Sequence, residues 1–380
     1  MTPTNAPVLF PPFLVATDGS PSARLAQQLL VMIAQATQAQ QNGNGRSLLT
    51  VLTVQPRRSS RSKRLALPQR AASIHQPPPT QDGLAATGDT PSEAVTATTQ
   101  TPNAEDLTRS METLPTAVSF TVQVRQGRPA IEILNCARAM QAGLIAVGSR
   151  GTANMRGRLM GSVSTVIARY APCSVLIARG AALPPESEPD LRHLLLVVND
   201  SPATRQAIAT VRQLLPAGVQ QITILYAQQP LNADYLFGPF ATPTPSWQFN
   251  QSLQDAQKEQ SEAILEHARA AFSTAGVEVH TLRQTGDPGP LICQTAQQQQ
   301  VDLIVLGGNA MHRWLRLPAG EGLFPLQSFR RSKQAPKPDP EAAKQPPALR
   351  NARLTATEDY TLHHAPCPVL LCRSTPPASL

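Results

Sequence analysis

The run VGSRGTANMRGRLMGSVS, from Val147 to Ser164, gathers four glycines, three arginines and the hydroxyls of Ser149, Thr152, Ser162 and Ser164 between two apolar stretches. Glycine lets backbone N–H groups approach a ligand closely, and hydroxyl and guanidinium groups add donors. The run could therefore cradle a phosphate; a flexible surface loop is the competing reading. It is not a P-loop, because no glycine is followed by Lys and then Ser or Thr, and it is not a G-x-G-x-x-G turn. Arg150, Arg156 and Arg158 could neutralise phosphate charge or stay solvated. A second polar turn is Thr17-Asp18-Gly19-Ser20. Asp18 could face a ligand or close its own turn. Ser20, followed by Pro21, reads as a helix N-cap rather than a nucleophile. No base and oxyanion site accompanies these residues, so no phosphoryl-transfer constellation is visible. Asp359, His363 and Cys367 are spaced four apart, but Pro366 interrupts any helix before Cys367, which speaks against a metal site.

The elements that would position these residues occur twice. FLVATDGSPSARLAQQLL from Phe13 matches LLLVVNDSPATRQAIATV from Leu194. LLTVLTVQP from Leu48 matches QITILYAQQP from Gln221, and QGRPAIEIL from Gln126 matches TGDPGPLIC from Thr285. AGLIAVGSRG from Ala142 matches VDLIVLGGNA from Val301, and YAPCSVLIAR from Tyr170 matches HAPCPVLLCR from His364. Five matched segments in one order indicate a duplication. Each copy alternates short Val/Ile/Leu-rich strands with helical stretches, the pattern of a parallel sheet covered on both faces. The helices are expected near Ser20–Gln38, Ala104–Glu112, Pro129–Gln141, Ser162–Tyr170 and Asn250–Ala275. The first domain is assigned to residues 9–180, with a disordered insertion at about 56–103. A Pro-rich linker covers 181–191, and the second domain covers 192–374, with an insertion at about 312–353.

In an open parallel sheet, ligands bind beyond the carboxyl ends of the strands. The opening run leads from such a strand end, at Val147 and Gly148, to the start of a helix at Ser162. Free N–H groups and the positive end of the helix dipole meet there. The spacing Gly148-x2-Gly151-x9-Gly161-Ser162 resembles the nucleotide motif of the ATP-binding universal stress proteins. The resemblance extends to the Thr17-Asp18-Gly19-Ser20 turn, the Gly127-Arg128-Pro129 segment and the closing strand APCSVLIAR, and it runs through both copies. It implies two tandem, open, five-stranded parallel-sheet domains, Rossmann-like, with strand order 3-2-1-4-5. It implies ATP as the ligand, with or without Mg2+. Asp18 would contact the nucleoside, while Ala16, Thr17 and Val54 would line the adenine pocket, Val54 through its backbone. Gly148, Gly151, Gly161, Ser162, Val163 and Ser164 would hold the phosphates, and Val147 belongs to the same cofactor-binding set. It also implies that the last strands, Ser174–Ala178 and Val369–Cys372, pair within one chain, with further dimerisation open.

The second copy departs from the motif. Asn199, or Asp200 if the turn shifts, stands for Asp18, and Ala310 stands for Gly151. Thr355 and Ala356 stand for Gly161 and Ser162, and Ala227 for Val54. Nucleotide is therefore expected only in the first copy. The implied function is a nucleotide-dependent sensor or regulator in a stress response. A nucleotide-independent scaffold is the alternative, and slow ATP hydrolysis would need only a bound Mg2+ and an aligned water.

Composition narrows the partners. The chain is 41% apolar, enough for real cores, and its 37 prolines are clustered. The net charge of +8 is concentrated in stretches such as PRRSSRSKR, but only 4% of residues are aromatic, which disfavours base stacking on nucleic acid. No run of apolar residues is long enough to span a membrane, and the N-terminal residues lack a basic n-region. The five cysteines show neither metal-ligand spacing nor an even disulfide framework, and the expected compartment is the cytoplasm.

Overall fold

Four of the crossover helices begin on proline, where a missing N–H costs nothing. In the computed structural model, which describes residues 9–40, 47–55, 118–151, 160–179, 191–229, 247–308 and 354–373, these are α1 (Pro21–Gln40), α2 (Pro129–Ala139), α4 (Pro202–Leu214) and α6 (Pro288–Gln298). The remaining helices are α3 (Ser162–Tyr170), α5 (Trp247–Ala270) and α7 (Ala356–His364). The Ser20 Oγ accepts the Ala23 N–H at 3.3 Å, so this serine caps α1 as its sequence context predicts. The expected helix at Ala104–Glu112, both insertions and nearly all of the linker lie outside the described residues.

The strands of the first half are β1 (Phe13–Ala16), β2 (Ser47–Gln55), β3 (Val118–Gln126), β4 (Leu144–Gly148) and β5 (Ser174–Ala178). Those of the second are β6 (His193–Val198), β7 (Gln221–Gln228), β8 (Glu278–Thr285), β9 (Leu303–Gly307) and β10 (Val369–Cys372). All ten join in one sheet of order β3-β2-β1-β4-β5-β10-β9-β6-β7-β8. Each half is parallel throughout, with the order 3-2-1-4-5. The two last strands meet antiparallel, Val369 opposite Ile177 and Leu371 opposite Val175. The carboxyl ends of the two halves therefore point to opposite rims.

Alternation along the central strands feeds two apolar layers. Leu176, Leu370, Leu194, Val15 and Leu30 share one layer, and Val175, Val369, Leu371, Ile145 and Ile167 share the other. Both layers run across the junction of the halves. A side-chain amide strengthens that junction: Gln213 Oε1 accepts from the Leu9 N–H at 2.8 Å, and its Nε2 donates to the Leu9 carbonyl at 3.3 Å.

Candidate phosphate-binding crevice

The chain order of the first half reverses at β1, which has β2 on one side and β4 on the other. This switch point opens a crevice beyond Ala16 and Val147. Ala16, Val54 and Val147 turn to the same face of the sheet, beside Met160. The Leu52 carbonyl accepts from the Thr17 N–H at 2.9 Å, whereas the Gln55 carbonyl accepts from Gly127 on the β3 side at 3.0 Å. Val54, two residues past Leu52, thus turns its backbone groups toward the β1 side, beyond the last paired residue of β1.

The Thr17–Ser20 turn is held by its own side chains. Asp18 Oδ1 accepts from the Ser20 N–H at 3.0 Å, and the Thr17 Oγ1 accepts from the Gly19 N–H at 3.2 Å. Gly19 has φ +80°, the left-handed region. Facing it, the Ser149-Arg150 loop is pinned to the start of α1. The Ser22 and Ser20 hydroxyls donate to the Arg150 carbonyl at 2.6 and 3.1 Å. The sequence does not single out Ser22; its nearness to Ser20, which caps α1, is the signal that points to it.

The glycines have different reasons to be glycine. A Cβ on Gly148 would lie 2.7 Å from the Ala23 backbone nitrogen, so this position is fixed by the close packing of α1. A Cβ on Gly151 would lie 2.6 Å from Asp18 Oδ2, which brings the two predicted ligand residues face to face. A Cβ on Gly161 would meet nothing closer than 3.4 Å. Its bareness leaves open the space in front of α3.

The first turn of α3 is the candidate phosphate seat. Gly161 is its N-cap and no side chain caps it, so the leading N–H groups of Ser162, Val163 and Ser164 face the crevice without a capping acceptor. The turn is tied to the opposite loop: the Gly161 N–H donates to the Ser149 carbonyl at 2.7 Å, and the buried Ser164 Oγ donates to the same oxygen at 3.0 Å. The Ser164 hydroxyl thus braces the cradle, while Ser162 is exposed. Burial first, and then the nearby Arg150 charge, hold the Arg179 guanidinium below its ordinary pKa, so two cations lie close together at this end of the sheet. Thr152, Arg156 and Arg158 lie outside the described residues.

The equivalent crevice of the second half is filled from within. Asn199 Oδ1 accepts from the Ser201 N–H at 2.9 Å, as Asp18 does from Ser20, so Asn199 and not Asp200 is the counterpart of Asp18. Gly307 repeats the packing of Gly148, a Cβ there lying 2.7 Å from the Ala203 carbonyl oxygen. At α7, however, Thr355 replaces Gly161 and Glu358 replaces Ser164. Thr355 Oγ1 accepts from the Glu358 N–H at 3.2 Å, and Glu358 Oε2 accepts from the Thr355 N–H at 2.8 Å, a reciprocal capping box. Glu358 is 3% exposed, and only about 30 Å³ remains among Asn199, Gly307, Thr355 and Glu358. The T-A-T-E run that forms this box is readable in the sequence, yet its meaning depends on laying it over G-S-V-S of the first copy. Ala310 lies outside the described residues.

Among the described residues no group of His, Cys, Asp and Glu is arranged to hold a metal, and Cys367 is packed in the core with its thiol pushed up to about 12 by burial. No described helix is long and apolar enough to cross a membrane.

Comparison with known proteins agrees with this architecture. Universal stress protein YxiE of Bacillus subtilis is 45% identical over 53 residues, which is 14% of this chain and 36% of that protein, so the chain spans about a third of the curated relative it matches. A protein of unknown function from Pseudomonas aeruginosa PAO1 superposes with a TM-score of 0.55 at 15% identity, covering 98% of this chain and 95% of its own. A protein designated a universal stress protein from Pseudomonas aeruginosa UCBPP-PA14 gives 0.54 at 15% identity, covering 96% and 93%. At that identity these two speak for the fold alone. Residues 10–179 and 191–321 each match the universal stress protein family, and with the doubled 3-2-1-4-5 sheet this chain belongs to that family.

Proposed function

We propose that this protein binds ATP, with or without Mg2+, in the first-half crevice and acts as a nucleotide-dependent regulator in a stress response. The observation that carries the reading is the contrast between two helix starts on one scaffold. The N-terminus of α3 has no capping side chain and opens on a crevice bounded by Asp18, Gly148 and Gly151. The same place on α7 is closed by the chain's own carboxylate. A helix N-terminus with free N–H groups favours an anion, and a nearby arginine adds charge. In this reading Gly161, Ser162, Val163 and Ser164 present backbone N–H groups to the phosphates. Gly148 and Gly151 let the loop approach them, and Asp18 meets the nucleoside. Ala16, Val54 and Val147 form the floor beneath the base. The five free cysteines fit the reducing cytoplasm.

The test is nucleotide extracted from freshly purified protein, followed by calorimetric titration with ATP-Mg. One nucleotide per chain is expected, with a rise in melting temperature that grows with ligand concentration. No extracted nucleotide and no thermal shift would overturn the reading in favour of a scaffold. Two nucleotides per chain would overturn the asymmetry. Turnover that vanishes with Gly161→Val would make the protein a slow ATPase.

A further inference from the structure

Two arginines at matched positions end the last strands, Arg179 after β5 and Arg373 after β10, and both are almost completely buried. Each reaches across the junction to the C-terminus of the other half's last helix. Arg179 Nη1 donates to the Leu362 carbonyl in α7 at 2.5 Å. Arg373 Nη1 donates to the Ala171 carbonyl just past α3 at 2.7 Å, and its Nη2 donates to the Ala168 carbonyl within it. Leu362 and Ala168 are themselves counterparts, so the clasp is reciprocal. The chain fixes Arg373 from its backbone as well, since its N–H donates to Ser174 Oγ in β5 at 3.1 Å.

The clasp is reciprocal but its consequence is not. Helix α3 has nine residues, about 13 Å of length, so its two ends are mechanically close. Its first turn faces the crevice and its last carbonyls carry Arg373. Nothing comparable is open on α7, where Glu358 closes the first turn. Glu358 also lies near Arg373 and offsets part of the burial that pulls its guanidinium below the ordinary value. The ion pair Arg169–Asp359 at 3.7 Å links the same two helices, but both partners are well exposed and it contributes little.

We propose that Arg373, carried by the second half, is a positioning residue for the phosphate seat of the first half, acting through α3. The second half would then complete the nucleotide site rather than repeat it. This rests on the nucleotide reading of the first-half crevice. A cation at a helix C-terminus favours the helix through the same dipole that its N-terminus offers to an anion. Removing the guanidinium leaves the Ala168 and Ala171 carbonyls without their donors and frees α3 to shift against the Ser149 loop.

The experiment uses the full chain as wild type, Arg373→Met, Arg373→Lys and the exposed edge-strand control Arg283→Met, each titrated with ATP and with adenosine. Hydrogen exchange of α3 is followed in the ligand-free proteins. Arg373→Met should weaken ATP about tenfold while adenosine changes little, because only the phosphates meet α3. Arg373→Lys should fall between, and Arg283→Met should match the wild type. Exchange at the hydrogen-bonded amides of α3, from Thr165 to Ala171, should quicken in Arg373→Met. Equal weakening of ATP and adenosine, or unchanged ATP binding, overturns the proposal. If the wild type binds neither ligand, the nucleotide reading fails, and exchange decides alone: an unchanged α3 overturns the role of Arg373, and quickening confined to α3 and the Ser149 loop supports it. If Arg373→Met does not fold, Arg373→Lys carries the same comparison.

Discussion

The two crevices are built on one plan and differ in what stands before the last helix. Gly148 and Gly307 are both forced by a helix packed against a strand end, so this glycine belongs to the scaffold. Asp18 and Asn199 both close a turn by accepting from a serine N–H. The difference lies at Gly161 against Thr355 and Ser164 against Glu358. One half leaves a helix terminus unsatisfied toward a crevice, and the other satisfies it with its own side chains. The comparison separates the part of a binding motif that the fold needs from the part a ligand would need.

The comparison can be broken most directly by transplanting the capping box. Gly161→Thr with Ser164→Glu should reduce ATP affinity at least about a hundredfold in calorimetry, because a buried carboxylate would take the anion's place. Unchanged binding would mean that the α3 terminus is not the phosphate seat. Next in size are the matched glycines. Gly148→Ala and Gly307→Ala should each cost about 1–3 kcal/mol of stability in urea denaturation, through overpacking, and by similar amounts. A cost in the first half alone would assign Gly148 to more than packing. Glu358→Gln should be milder, with a loss of about 1 kcal/mol for a weakened helix cap. No loss at all would show that the box is incidental.

The smallest effect at neutral pH grows in alkali. Burial pushes the thiols of Cys173, Cys367 and Cys372 up to about 12 and that of Cys293 up to about 11, from 9.0. Unfolded thiols ionise near 9.0, whereas the folded ones keep their protons, so the thiols' contribution to stability is constant below pH 9 and is lost as pH rises above it. Three of these four cysteines belong to the second half. Hydrogen exchange should therefore show the second half opening first above pH 9, and native alkylation should reach the half-buried Cys293 before the other four. First opening around Cys136 and Cys173 would reverse that order.

Much of the fold is legible because its signals are local. Ser-Pro before a helix, a proline at four helix starts and doubly buried Val/Ile/Leu strands each act within a few residues. The duplication then supplies the order of the elements. The long helix α5 runs from Trp247, three residues before its expected start, and ends at Ala270, where tighter hydrogen-bonded turns replace the expected last helical turn. The crevice residues are legible as a set through strand ends and glycines. What each glycine is for is not, because the close contacts of Gly148 and Gly151 come from residues more than a hundred positions away. The reciprocal arginines show the same limit. Both copies end their last strand in Arg, yet the carbonyls that receive them lie in the other half.

The antiparallel meeting of β5 and β10 has one more consequence. A contact that two separate chains would have to find by diffusion is here an intramolecular event, governed by tether length rather than by concentration. Dilution cannot dissociate it, and the strands used for it are not offered to other chains. The two unlike halves are thereby held in a fixed one-to-one ratio.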